Sequence, residues 1–198
     1  MSLLSDVRSV SSKLSTPQLL HYVIAERFPG KTIVSASLRA RSIAVLSMVA
    51  EIDPAIPVVF CRPGHLFKES FDYRERIVDA LGLTNITESE GRETRIQAGD
   101  LAHCERMWSE SEDAPGRTFQ LVQLNETLKP YDCWISAVYH MARPSNVRKR
   151  VDVEGKLIRI DPLLSWSSED VHRYLSERNV PLHPRVRRSK SARPRPAR

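Results

Sequence analysis

The segment 31–51 constrains the chain more than any other stretch. It reads KTIVSASLRARSIAVLSMVAE: an apolar run through Thr32, Ile33 and Val34, a polar turn over 35–42, then Ile43, Leu46, Val49 and Ala50 at helical spacing. Strand, loop and helix in that order put the loop where a strand's carboxyl end meets a helix N-terminus. The orphan amides and dipole of such a terminus favour an anion. Ser35, Ser37 and Ser42 add hydroxyl donors there, and Arg39 and Arg41 add positive charge. A phosphate could sit on this loop. The same residues also suit an ordinary strand-to-helix connection, because the loop has no glycine and cannot cheaply form an open amide nest.

The rest of the chain supplies partners for that unit. Residues 1–15 are rich in serine and read as a loose, flexible segment. Thr16 as N-cap and Pro17 in the first turn start a helix that ends at Pro29-Gly30. Residues 56–61 form a second apolar strand, and 67–81 a second helix with Phe71, Ile77, Val78 and Leu81 inward, closed by Gly82. A short strand is expected at 84–87, a polar stretch with a short helix over 88–117, a helix over 118–128 and a strand at 131–138. Residues 139–150 read as a basic loop. Glu154-Gly155-Lys156 links two strands as a hairpin. Ser167 with Asp170 forms a capping box for a helix with Val171, Tyr174 and Leu175 inward, ending at Asn179. Residues 181–184 are extended.

Strands alternating with helices predict an α/β fold: a doubly wound, mainly parallel sheet with helices on both faces. Ligands of such sheets bind at the carboxyl ends of the strands, so the loops at 35–42, 61–66 and 138–150 should share one rim. The domain spans 16–184, with a basic disordered tail at 185–198. That tail holds seven of the 30 basic residues and no acid, which leaves 23 basic against 24 acidic residues in the body. The body is therefore not a nucleic-acid surface by charge, and only the tail offers weak, non-specific contact. No run approaches the ~20 apolar residues that span a bilayer. The N-terminus lacks a secretory pattern, so a cytoplasmic location is expected. Cys61, Cys104 and Cys133 form no CxxC pair, which argues against a disulfide framework or a Cys₄ metal site.

Five stretches, in order, resemble the assimilatory sulfonucleotide reductases, the adenylyl-sulfate and phosphoadenylyl-sulfate reductases of the adenine nucleotide alpha-hydrolase-like fold. Residues 35–42 are similar to the family's phosphate loop, often S-T-S-F-G-A-x-S. Residues 56–67, IPVVFCRPGHLF, are similar to I-P-V-I-F-L-D-T-G-Y-L-F, and 131–136, YDCWIS, to Y-D-A-W-I-T. Residues 160–171, IDPLLSWSSEDV, are similar to V-N-P-L-x-x-W-T-x-E-D-V, and 179–184 to the stretch before a glycine-tyrosine turn. Their place at two strand ends makes Ser35, Ser37, Arg39, Arg41, Ser42, Arg62 and Gly64 candidate nucleotide or phosphate contacts, and the resemblance to the family's phosphate loop supports that reading. The resemblance also implies a cysteine nucleophile in an E-C-G-L-H-like motif, an S-sulfocysteine intermediate, and release of sulfite by thioredoxin or glutathione. Many members hold an iron–sulfur cluster on a Cys-Cys pair and a C-x-x-C.

The chain departs from that pattern. No cysteine follows Cys133, so the nucleophile is expected to be missing. Gly116-Arg117-Thr118 stands where the Cys-Cys pair should fall, so no cluster or other metal is expected and no catalytic residue is assigned. Arg62-Pro63 replaces Asp-Thr, and Arg39 replaces the loop glycine. The G-L-R-R and P-T-R stretches that clamp the substrate's anionic end become 137–140 and 144–146; Arg143, Arg148 and Arg150 are the candidate anion-binding replacements. Three readings follow. The first is a divergent homologue that binds adenosine phosphates or a sulfonucleotide without forming sulfite. The second is an active, thioredoxin-dependent reductase using a non-family cysteine, Cys61 beside Arg62 first, although a small buried hydrophobe is the plainer reading of Cys61. The third is a non-enzymatic binding protein with a basic tail. Homo-oligomerisation is open in all three.

Overall fold

The computed structural model describes residues 3–61, 68–89, 127–137 and 149–184. Six strands form one sheet: β1 (Thr32–Ala36), β2 (Val58–Cys61), β3 (Ile86–Ser89), β4 (Cys133–Ser136), β5 (Val151–Glu154) and β6 (Leu157–Ile160). Their order is β3-β2-β1-β4-β6-β5. All neighbours are parallel except the β5–β6 hairpin. The expected α/β fold with a mainly parallel sheet is therefore observed.

The central strands are buried on both faces, as parallel strands must be. All five residues of β1 and all four of β2 and β4 are buried. Alternation splits them between two cores. Val34, Ala36, Val58, Phe60, Cys133, Ile135, Ile158 and Ile160 face the larger core. There they meet α1 (Leu3–Ser11), α2 (Thr16–His21, continued by a π-helical turn Tyr22–Arg27), α3 (Ala40–Ala50), α4 (Lys68–Leu81) and α5 (Ser168–Glu177). Ile33, Val59, Cys61, Trp134 and Leu157 face the other way and pack with Leu128 and Tyr131. Of the helix expected over 118–128 only 127–128 are described, and they are helical. The readings of 90–126 lie outside the described residues.

Several local signals act as read. Gly82 closes α4 with φ +65°, and Asn179 follows α5 with φ 54°. Ser167 accepts from Asp170 N–H while its own N–H and hydroxyl donate to the Asp170 carboxylate. Gly155 takes φ +60° in the two-residue turn between Glu154 and Leu157, which are paired.

Two readings are corrected. Residues 3–11 form a helix, with Val7 fully buried in the larger core. Leu4, Val7 and Val10 share one helical face, and the serines between them lie on the solvent side or cap the end. The N-cap of α2 is Ser15, whose N–H and hydroxyl donate to Gln18 Oε1 at 2.9 and 2.8 Å. Thr16 lies one residue inside, buried.

Candidate functional site

The chain runs outward from β1 through β2 to β3, then returns to pair β4 on the other side of β1. Between β1 and β4 the direction of winding reverses, and ligands of open α/β sheets bind outside the carboxyl ends of the strands at such a switch point. The β1–α3 loop, Ser37-Leu38-Arg39, stands at this point. Its hydroxyls are fixed before any ligand is considered. Ser42 donates to Ala137 O, just past β4, at 2.5 Å. It accepts from Ser37 N–H at 3.1 Å, and the two hydroxyl oxygens are 3.0 Å apart. Because the single Ser42 proton goes to Ala137, Ser37 must donate to Ser42. Arg39 N–H in turn reaches Ser37 Oγ at 3.4 Å. The loop is thus stitched to itself and to the end of β4, with Ala137 N–H donating to Ser35 O at 3.0 Å.

The sequence candidates separate in space. Ser37 and Ser42 line the loop from inside, 8% and 1% exposed. Arg39 is the N-cap of α3, half-buried, with φ −86° and ψ 152°. That backbone is extended and open to any L-residue, so an arginine carries no strain in the position where the resembling family has glycine. Ser35 points to the second face, where its hydroxyl accepts from Trp134 Nε1–H at 2.8 Å. Arg41 turns away from the loop: Nη1 donates to Leu163 O at 2.6 Å and Nη2 to Trp166 O at 2.8 Å. Arg150 donates to Ser11 O, Leu14 O and Thr16 Oγ1 at 3.0, 2.7 and 3.2 Å, and burial lowers its pKa. Its Nε is buried without a partner. Arg62, Gly64, Arg143 and Arg148 lie outside the described residues, as does the rest of the rim at 62–67 and 138–148.

The two described cysteines are placed far from thiolate chemistry. Cys61 ends β2 at the rim, but burial pushes its thiol up to about 12. Cys133 starts β4, wholly buried, and burial pushes it to about 12 as well. They lie on opposite faces of the sheet, with β1 between their strands. Two thiols so placed cannot share one iron–sulfur cluster, whose ligands must converge. Cys104 is outside the described residues. Among the described residues no three His, Cys, Asp or Glu side chains converge on a metal position, and no helix is long and apolar enough to cross a membrane.

Sequence reasoning missed two groups on the second face of the sheet. Trp134 is buried in the core, and its indole also fixes the Ser35 hydroxyl. Arg159 pairs in register with Trp134 and is 7% exposed. Its guanidinium lies 3.9 Å from Asp152 and 3.6 Å from Glu154, and its Nε is buried without a partner. An arginine between Ile158 and Ile160 in an apolar strand was the available signal, since Arg is almost never buried unpaired.

Comparison with known proteins agrees with this geometry. The family model described as "Phosphoadenosine phosphosulfate reductase domain" matches residues 31–188. A phosphoadenosine 5'-phosphosulfate reductase of Alkalilimnicola ehrlichii is 27% identical, over 91% of this chain and 75% of that protein. An adenosine 5'-phosphosulfate reductase of Chelativorans sp. is 26% identical, over 81% of this chain and 65% of the relative. The crystal structure of the phosphoadenylyl-sulfate reductase from Candida auris, a phosphate complex, superposes with a TM-score of 0.64 at 18% identity, covering 92% of this chain and 90% of that one. At that identity the structural likeness speaks for the fold. With a match over most of its length, a doubly wound sheet and the loop at its switch point, the chain belongs to the phosphoadenosine phosphosulfate reductase domain family.

Proposed function

We propose that this chain is a reductase-like protein of sulfate assimilation that binds an adenosine phosphate or sulfonucleotide at the β1–α3 loop and does not itself form sulfite. One observation carries the binding half. The loop stands at the switch point between β1 and β4, held in shape by the Ser37–Ser42–Ala137 hydrogen bonds before any ligand arrives. A preformed loop at a helix N-terminus loses little freedom on binding an anion, and Arg39 at its N-cap adds a cation. The names of the relatives, phosphoadenosine and adenosine phosphosulfate reductases, supply the ligand class.

The two described thiols, Cys61 and Cys133, support the second half. Attack on the sulfur of a sulfonucleotide needs a thiolate, and a thiol titrating near 12 supplies almost none at neutral pH. Of the two described thiols Cys61 is the nearer to the rim, and its environment is that of a buried hydrophobe. Thioredoxin is a partner only if this half fails.

Calorimetric titration of the 198-residue chain with adenosine bisphosphate, adenylyl sulfate and AMP tests the binding half; saturable heat is expected. No heat at millimolar ligand would sink it. Thioredoxin-dependent sulfite release by the purified chain should be absent. Release that Cys61→Ser abolishes would overturn the second half in favour of an active reductase.

A further inference from the structure

The turn between β6 and α5, residues 161–167, is held from two sides by groups far away in sequence. From one side Arg41, in the first turn of α3, donates to Leu163 O and Trp166 O. From the other side Thr16 donates to Pro162 O at 3.0 Å and accepts from Trp166 Nε1–H at 3.2 Å. Thr16 also accepts from Arg150, which holds the carbonyls of Ser11 and Leu14 where α1 gives way to α2. A hydroxyl has one proton and two lone pairs, so the buried Thr16 side chain is fully used. Trp166 is the shared member, its carbonyl on Arg41 and its indole on Thr16. A continuous chain of hydrogen bonds therefore runs from the α1–α2 junction to the first turn of α3, whose preceding loop is the candidate anion site.

We propose that the Thr16–Trp166–Arg41 chain couples docking of the N-terminal helices to the shape of the β1–α3 loop, so that the N-terminal segment regulates the loop's ligand and the ligand stabilises the segment. Arg41 acts here as a positioning residue, aiming its guanidinium at two carbonyls of the turn. The ligand half rests on the function proposed above; the coupling is a property of the free chain. Linkage makes it reciprocal: whatever tightens one end tightens the other by the same factor. A buried hydrogen-bond chain suits such coupling because an interrupted member leaves its neighbours unpaired in a poorly solvated place.

Hydrogen exchange on the full chain without ligand is the test. Reporters on the loop side are the amides of Ser37, bonded to Ser42 Oγ, and Ile43, bonded to Arg39 O. Those on the N-terminal side are Leu14, bonded to Ser11 O, and Leu19, bonded to Ser15 O. Val58, bonded to Asn85 O on the far side of β1, is the reference. Thr16→Val should speed exchange at Ser37 and Ile43 by about fivefold or more, and Arg41→Gln should do the same at Leu14 and Leu19, with Val58 unmoved. Thr16→Ser, which keeps the hydroxyl, should behave as the parent. The proposal is overturned if each substitution speeds only its own side, or if Val58 accelerates equally. Should Thr16→Val fail to fold, Arg41→Gln read at Leu14 and Leu19 decides alone. Added AMP should slow Leu14 and Leu19; no slowing, with the cross-effects intact in the free chain, counts against the nucleotide reading and leaves the coupling standing.

Discussion

Cys61 sits one strand from the candidate loop and beside an arginine in sequence, a setting that usually lowers a thiol pKa. Its burial outweighs the neighbour. Removal of the thiolate from water pushes the titration up from 9.0 to about 12, and Cys133 behaves alike. At a given pH below that range the thiolate population is then about a thousandfold smaller than for the unperturbed group, at a factor of ten per unit. A raised thiol pKa also has a signed effect on stability. The contribution of the neutral, buried thiols is complete below about 9 and is lost as pH rises from there toward about 12, because the unfolded chain ionises first. We expect neither thiol to react with a disulfide reagent at pH 8 on the timescale of minutes in the native chain, and both to react at once in guanidinium. Rapid native labelling mapped to Cys61 would return the active-reductase reading. Adjacency in sequence suggested reactivity here, but the deciding quantity was burial, which depends on strands and side chains remote from position 61.

Elements whose signals are local were legible, and those that depend on distant partners were not. The hairpin shows the first kind. Gly155 has φ +60° and nothing within 4 Å of where a Cβ would stand, so its requirement is purely conformational. Gly155→Ala should therefore cost about 1 kcal/mol and lower the melting temperature by about 2–4 °C. Gly155→Asn should cost less, because asparagine tolerates positive φ. Equal losses for both would mean that side-chain crowding, not backbone handedness, sets the cost. The capping box at Ser167 and the apolar runs of β1, β2 and β4 were readable for the same reason: the cause lies within a few residues. α4 shows the second kind. Ile77 is buried and Val78 and Leu81 pack half-buried against the same core, as periodicity indicated, but the other fully buried residues are Ser70 and Tyr73, and Phe71 is only half-buried. Ser70 is buried because His183 Nε2 lies 3.0 Å from its hydroxyl, and Tyr73 because its phenol donates to Pro181 O at 2.7 Å and its ring meets the His183 edge. No pattern within 67–81 encodes a histidine more than a hundred residues away. The candidate site divides likewise. The loop's place at a strand end was legible, whereas the turning of Arg41 and Arg150 toward backbone carbonyls was not.

At the scale of the whole molecule, the N-terminal helix belongs to the fold even though it lies outside the span 31–188 that the family model matches. Val7 is fully buried in the larger core, a side chain whose burial is worth about 1.5–3 kcal/mol. Arg8 closes the open edge of the sheet, donating to Val151 O at 3.1 Å and to Asp152 at 3.0 Å. An uncovered edge strand offers free backbone groups to other chains, so a helix with an arginine on it is a protective device. The carbonyls of Ser11 and Leu14 are acceptors for Arg150, whose guanidinium would lose both on truncation while its Nε already lacks a partner. Deleting residues 1–14 should accordingly lower the melting temperature by about 5–10 °C and promote self-association through β5, read by scanning calorimetry and light scattering. Deleting 185–198, which carries seven cations and no acid, should leave the melting temperature unchanged and remove affinity for polyanions. The two truncations are informative as a pair. If the N-terminal deletion is silent, α1 is an ornament and the coupling proposed through Thr16 has no far end. A loss of stability from the C-terminal deletion would mean that the basic tail packs on the body, and that its charge is part of the domain's own electrostatics.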